Sequence, residues 1–236
     1  IERQDTMWQA PWATQASTFH DHKLGPGVFH IGYRDSTSMW RHGLQDEEAR
    51  LNVNNAPVSA LAALPGLSPE QAQAIVTARQ LTRWNAPEEL VQRGFITQER
   101  WSGTADSPGL EHDLTVWGSG KVNVNTASPV VLATLPGSTP ALVAALIRYR
   151  QGPDQQLGTT DDQSFRTLHD VARAPGIDPK ALERIRPLLT VTPSAFRFIA
   201  TGYIARQGVQ AHIHRRFAVL ERTPQATALR YWRRVE

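Results

Sequence analysis

The sequence predicts an α+β protein in which the two ends of the chain form an antiparallel sheet and the middle forms two helical subdomains. Three observations carry this. The segment Leu51–Gln80 reappears, without gaps, as Val122–Gln151. Ala195–Ile204 alternates Phe196, Phe198 and Ala200 on one face, the period of a half-buried strand, and Gly27–Arg34, Ala211–Arg222 and Ala226–Val235 read as strands beside it at the spacing of an antiparallel meander. Charge is segregated: from Ala195 onward eight arginines stand against two glutamates, a balance of +6 in a chain of net charge +3. The remainder is therefore slightly acidic, and the repeats are near neutral.

The repeated stretches read LNVNNAPVSALAALPGLSPEQAQAIVTARQ and VNVNTASPVVLATLPGSTPALVAALIRYRQ. Self-similarity at a fixed offset marks one supersecondary unit used twice. Each copy opens on a short strand (Leu51 and Val53; Val122 and Val124). A capping turn, Asn55-Ala56-Pro57 or Thr126-Ala127-Ser128-Pro129, starts a short helix with Leu61 and Leu64, or Leu132 and Leu135, on one face. That helix stops at Pro65-Gly66 or Pro136-Gly137. Ser68-Pro69 and Thr139-Pro140 start the second helix, which carries Ala72, Ile75, Val76 and Arg79, or Val143, Leu146, Ile147 and Arg150. Helix, tight Pro-Gly turn, helix is the helix-hairpin-helix pattern. A third version spans Phe165–Leu188, turning at Pro175-Gly176 before Asp178-Pro179. Its counterpart in the first repeat is Trp84–Trp101. Trp84 and Phe165 are expected to plug the two cores. Leu61, Leu64 and Ile75 map onto Leu132, Leu135 and Leu146, and all six are expected to be buried.

The flanking residues predict the sheet. Gly27–Arg34 reads as a strand, and 45–50 as a polar turn. Leu188–Val191 is a strand candidate, followed by three longer strands with a turn at Gln207-Gly208. Ile1–Pro26 reads as a loop or the end of a helix. The division is then 1–54 for the N-terminal part of the sheet domain and 55–119 for the first helical subdomain. A strand plus the second helical subdomain takes 120–187, and the closing strands take 188–236. The 236 residues contain no cysteine, which excludes disulfides, cysteine-bound metals and thiol catalysis. No apolar run reaches 18 residues, so no membrane span is expected and the chain as it stands is expected to be soluble. It opens at Ile1 rather than Met, which reads as a truncated or processed product.

These elements resemble a known family, the K-type minor pseudopilins of bacterial type II secretion. The resemblance rests on Asp46-Glu47 with Ala49–Asn54, on Leu61–Arg79 and Trp84–Leu90, on Lys121–Ala127, and on Ser194–Arg222, and covers about Gly27–Glu236. It implies a pilin-like sheet with two inserted helical subdomains of helix-hairpin-helix, SAM-like type, and no enzymatic activity. It implies a place at the tip of the periplasmic pseudopilus, on the periplasmic side of the inner membrane. The implied partners are other minor pseudopilins (I and J types) and secreted cargo. Two departures stand out. The hydrophobic N-terminal pilin helix is absent, and with it the membrane attachment. The family's calcium-associated acidic loop is replaced by the short basic run Arg79–Trp84.

The rival is DNA binding, because Val122–Leu189 also resembles the motif of competence-type receptors. There, hairpin N–H groups at a helix start contact phosphate. Gly137, Gly176, Lys180 and Arg184 would form that site here. Against it, Ser68, Thr139 and Asp178 replace the usual second glycine, and Pro69, Pro140 and Pro179 each remove a donor. Glu70 and Asp178 would repel phosphate, and the neutral repeats lack the clustered cations that counterion release needs.

No nucleophile-elbow, phosphate-loop or His-Glu-x-x-His motif occurs. His212 and His214 share one face of a predicted strand, and His20 and His22 have the same spacing; an exposed strand face explains both pairs. No cofactor is expected. Either histidine pair could hold a metal with a third ligand, and calcium could be bound through Asp161 and Asp162 in the loop Gly152–Ser164, or through Asp46 and Glu47. A solvated loop and a charged turn are the plainer readings of these groups.

Overall fold

In the computed structural model, residues 16–34, 39–104, 107–206, 209–223 and 225–235 are described. The turn expected at Gln207-Gly208 and most of Ile1–Pro26 lie outside them. A short helix α1 (Ala16–Phe19) leads into β1 (His22–Leu24), β2 (Gly27–Arg34), β3 (Trp40–His42) and β4 (Gln45–Asp46). The middle opens with β5 (Leu51–Asn52), α2 (Val58–Ala62), α3 (Pro69–Leu81), α4 (Glu89–Gln92) and α5 (Gln98–Ser102). It continues through β6 (Gly103–Thr104), β7 (Ser107–Pro108), β8 (Leu114–Thr115) and β9 (Val122–Asn123). Then come α6 (Pro129–Thr134), α7 (Pro140–Arg150), α8 (Leu168–Arg173), α9 (Pro179–Ile185) and β10 (Leu189–Thr190). The last strands are β11 (Ala195–Arg206), β12 (Val209–Arg222) and β13 (Thr227–Val235). Two compact units result: Ile1–Glu47 with Ser194–Glu236, and Glu48–Pro193.

The class is α+β, as expected. The unit boundaries differ from 54 and 188, and strand pairing gives the reason. β5 pairs in parallel with β8 (Leu51↔Leu114), and β10 in parallel with β9 (Leu189↔Val122). Both strands therefore belong to the helical unit, and Leu189–Thr190 does not join the closing sheet.

The sheet unit is seven-stranded and antiparallel, in the order β1-β2-β11-β12-β13, with β3 added to β2 and β4 to β11. The first and last segments of the chain thus meet at β2 and β11, where Thr201 lies opposite His30. Side chains alternate faces along each strand. Gly32 is required sterically: a Cβ there would press on the Arg41 carbonyl and sit 2.6 Å from the Trp40 ring. Its absence lets the indole lie across β2.

In the helical unit the two repeats fold alike. Leu61, Leu64 and Ile75 are buried, as are Leu132, Leu135 and Leu146. Trp84 and Phe165 fill the cores; Phe95 meets Trp84 edge-on, and Tyr149 stacks on Phe165. The shared Asn-Val-Asn has a specific task. Asn54 accepts from the Trp84 N–H at 3.0 Å and donates to the Trp84 carbonyl at 2.9 Å. Asn125 does the same with Phe165, at 2.8 and 2.9 Å, and also donates to the Val191 carbonyl. Each asparagine thus clamps the backbone of its own aromatic plug, satisfying buried groups that no helix or ladder reaches. The shared closing arginine is equally local. Arg79 donates to the carbonyls of Val53 and Ala56, and Arg150 to that of Ala127. Burial pulls the Arg150 guanidinium down to about 10, so it stays charged at neutral pH.

Candidate functional site

The hairpin tips are the candidate site the sequence offers, and they are built by local rules. Gly66, Gly137 and Gly176 all have φ between 78° and 90°, the left-handed region that lets the chain reverse. Ser68 Oγ then caps α3 by accepting from Gln71 N–H at 3.2 Å, and the Gln71 side chain returns a bond to Ser68 N–H. Thr139 caps α7 through Leu142 N–H, and Asp178 caps α9 through Lys180 N–H. Proline at the first helical position removes one donor and the cap occupies another. Two of the first three N–H groups of each helix are therefore withdrawn from any external anion.

The glycine tips also lie against protein. A Cβ at Gly137 would be 2.8 Å from Arg184 Cβ, and one at Gly66 would be 3.1 Å from an Arg100 guanidinium nitrogen. Gly176 lies near the Ala145 methyl group. Of the four residues in the nucleic-acid reading, Gly137 and Arg184 are brought together. Lys180 is one turn from Arg184 on the exposed face of α9. Gly176 contributes to its own turn.

The loop Gly152–Ser164 uses its carboxylates internally. Asp161 accepts from Asp154 N–H at 3.0 Å and from the Thr159 hydroxyl at 2.7 Å, and Asp162 accepts from Gly158 N–H at 2.7 Å. The Thr159 bond holds the Asp161 carboxyl below its usual range. Among the described residues, no group of three His, Asp or Glu is arranged to hold a metal ion.

The charged turn at 45–50 is largely buried. Asp46, Glu47 and Glu48 are 3%, 0% and 1% exposed. The Asp46 backbone pairs with Phe196, and Glu47 forms a buried ion pair with Arg197. Glu48, in the helical unit, accepts from Ser119 N–H at 2.8 Å. Desolvation of Glu47 and Glu48 is tolerated because each of these carboxylates has a partner.

The model of the family described as helix-hairpin-helix motif matches residues 46–97 and 118–190, together more than half of the chain. The chain belongs to that family. Two curated relatives are both called endonuclease/exonuclease/phosphatase family domain-containing protein 1. The Xenopus laevis protein is 26% identical over 159 residues, and the Bos taurus protein 27% over 169. Each alignment takes in 59% of this helix-hairpin-helix chain but only 27% and 28% of the relative. Among solved structures, the chain is similar to one in the GspK-GspI-GspJ complex of the type 2 secretion system from enterotoxigenic Escherichia coli. The TM-score is 0.55 at 14% identity, covering 96% of this chain and 85% of that one. That likeness is one of fold.

The histidines of this helix-hairpin-helix protein fall differently from the spacing argument. His22 lies against the Thr18 carbonyl at 2.6 Å, while His20 turns to His30 and His42. His214 is exposed, and the His212 side chain lies outside the described set. The grouping of His20, His30 and His42 was missed because three residues ten and twelve apart carry no periodic signal. Only the pairing of β2 with β3 and with β1 brings them together.

Proposed function

We propose that this chain is a non-enzymatic minor pseudopilin of the K type, acting at the tip of a type II secretion pseudopilus in assembly and protein export. One observation carries the reading: the order of parts along the chain. An antiparallel sheet begun by the N-terminal segment is interrupted by two helix-hairpin-helix repeats and closed by the C-terminal strands. A chain of the GspK-GspI-GspJ complex is similar in fold over 96% of the present sequence, which supports the reading. The proposed partners are therefore I- and J-type minor pseudopilins, with secreted protein as a further contact. Attachment on the periplasmic side of the inner membrane is proposed through a hydrophobic helix preceding this chain. Among the described residues no helix is long and apolar enough to cross a membrane. Co-purification with I- and J-type minor pseudopilins tests the assignment.

DNA binding of competence-receptor type is the second reading. Its support is the helix-hairpin-helix family itself, with Arg184 against Gly137 and Lys180 one turn away. The nuclease-like names of the curated relatives belong to proteins of which this chain spans about a quarter. The capped, proline-started helices weigh against the reading. Fluorescence anisotropy with duplex DNA separates the two. Submicromolar binding that falls steeply with salt, and is lost in Lys180→Glu with Arg184→Glu, would favour DNA.

A further inference from the structure

One face of the sheet carries a cleft of about 420 Å³ that none of the foregoing uses. Register alone assembles its floor. Thr201 on β11 lies opposite His30 on β2 and opposite Arg215 on β12. Gly32, two residues after His30 and so on the same face, lies opposite His42 on β3. Arg34 follows two residues further along β2. His20, from the turn after α1, closes over these, its ring centroid 4.7 Å from that of His42 and 6.2 Å from that of His30. The Trp40 indole walls one side, edge-on to His30 at 5.6 Å.

Two polar atoms in this cleft have no partner. Thr201 is 5% exposed, and its hydroxyl makes no hydrogen bond. His42 Nδ1 is likewise buried and unpaired. A buried hydroxyl without a partner is costly, which points to a ligand that completes it. Arg34, Arg215 and three imidazoles line the cleft, and among its described lining residues there is no acid. The neighbouring carboxylate, Asp21, contacts His20 Nδ1 and accepts from the Tyr203 hydroxyl, each at 3.0 Å. Burial, with His42, His20 and Arg215 nearby, holds the His30 imidazole below its ordinary 6.5, while Asp21 pulls the other way.

We infer that this cleft binds a small oxyanion, a single carboxylate or phosphate group. The Thr201 hydroxyl and the His42 imidazole donate to its oxygens, and Arg215 and Arg34 balance its charge. Charge-assisted bonds of this kind are the strong ones. Protonation of the imidazoles adds positive charge, so binding tightens as pH falls through the histidine range. A cation is disfavoured by the two arginines, and among the described residues no metal-holding set of three occurs. The inference stands apart from the pseudopilin assignment and survives its failure.

The test is an NMR titration of the imidazole resonances of this chain with inorganic phosphate and, separately, acetate, at about pH 6 and about pH 8. Saturable shifts of His30 and His42 are expected, with the His30 titration moving upward on binding and affinity falling about tenfold at the higher pH. Thr201→Val and Arg215→Gln should each weaken binding about tenfold, with thermal unfolding unchanged. Binding of acetate alone identifies a carboxylate site, and binding of phosphate in either case supports the proposal. Non-saturable shifts, or binding indifferent to both substitutions, would overturn it. So would zinc binding at the same imidazoles with no anion effect.

Discussion

Asn125 shows how much of the repeat rests on single side chains. It satisfies both backbone groups of Phe165 and the carbonyl of Val191, all inside the second helical core. Asn125→Ala is expected to cost about 2–3 kcal/mol by chemical denaturation, since it strands buried backbone groups. Leu135→Ala removes bulk from the same core and is expected to cost about 2–5 kcal/mol through the cavity it leaves. If either change proves neutral, the side chain does not have the structural task assigned to it. His30 gives a pH dependence. Its folded value lies below the unfolded 6.5, so the unfolded chain binds more protons in the window beneath 6.5. The stabilisation is fully present above 6.5 and is lost as pH falls through the folded value. Hydrogen exchange of β2 and β11 amides should quicken over that range, and His30→Gln should flatten the dependence.

Hairpins and caps were legible from residues alone because their causes are local. Pro-Gly turns and Ser-Pro or Thr-Pro helix starts act within a few positions, and α3 and α7 begin where those signals stand. What was not legible depends on distant partners. Glu47 reads as part of a charged turn, and its partner Arg197 stands 150 residues away. β5 and β10 have two residues each, too few to announce that their partners are β8 and β9. The three-histidine cleft is likewise a product of register. The hairpin element supports a further prediction. Gly137→Ala places an L-residue at φ 90° and a methyl against Arg184, so it should cost about 1–2 kcal/mol in backbone strain alone. An unchanged melting temperature would mean that the tip is not packed as described.

For the whole molecule, the architecture separates a basic sheet from a near-neutral helical insertion. The exposed arginines of β13 and its neighbour β12 are Arg215, Arg222, Arg230, Arg233 and Arg234; Arg230 pairs with Glu221, and Arg233 lies over Phe217. Charged rims change association rate more than affinity. Arg234→Glu should therefore slow assembly with pseudopilin partners more than Arg93→Glu on the helical unit, measured by surface-immobilised binding kinetics. The central claim is that this is an assembly subunit. Its most direct measurement is co-expression, with a hydrophobic N-terminal helix supplied, alongside I- and J-type minor pseudopilins, followed by purification through a tag on this chain. The account predicts a stable complex containing all three. Isolation of this chain without either partner, together with undiminished secretion in cells that lack it, would contradict the claim.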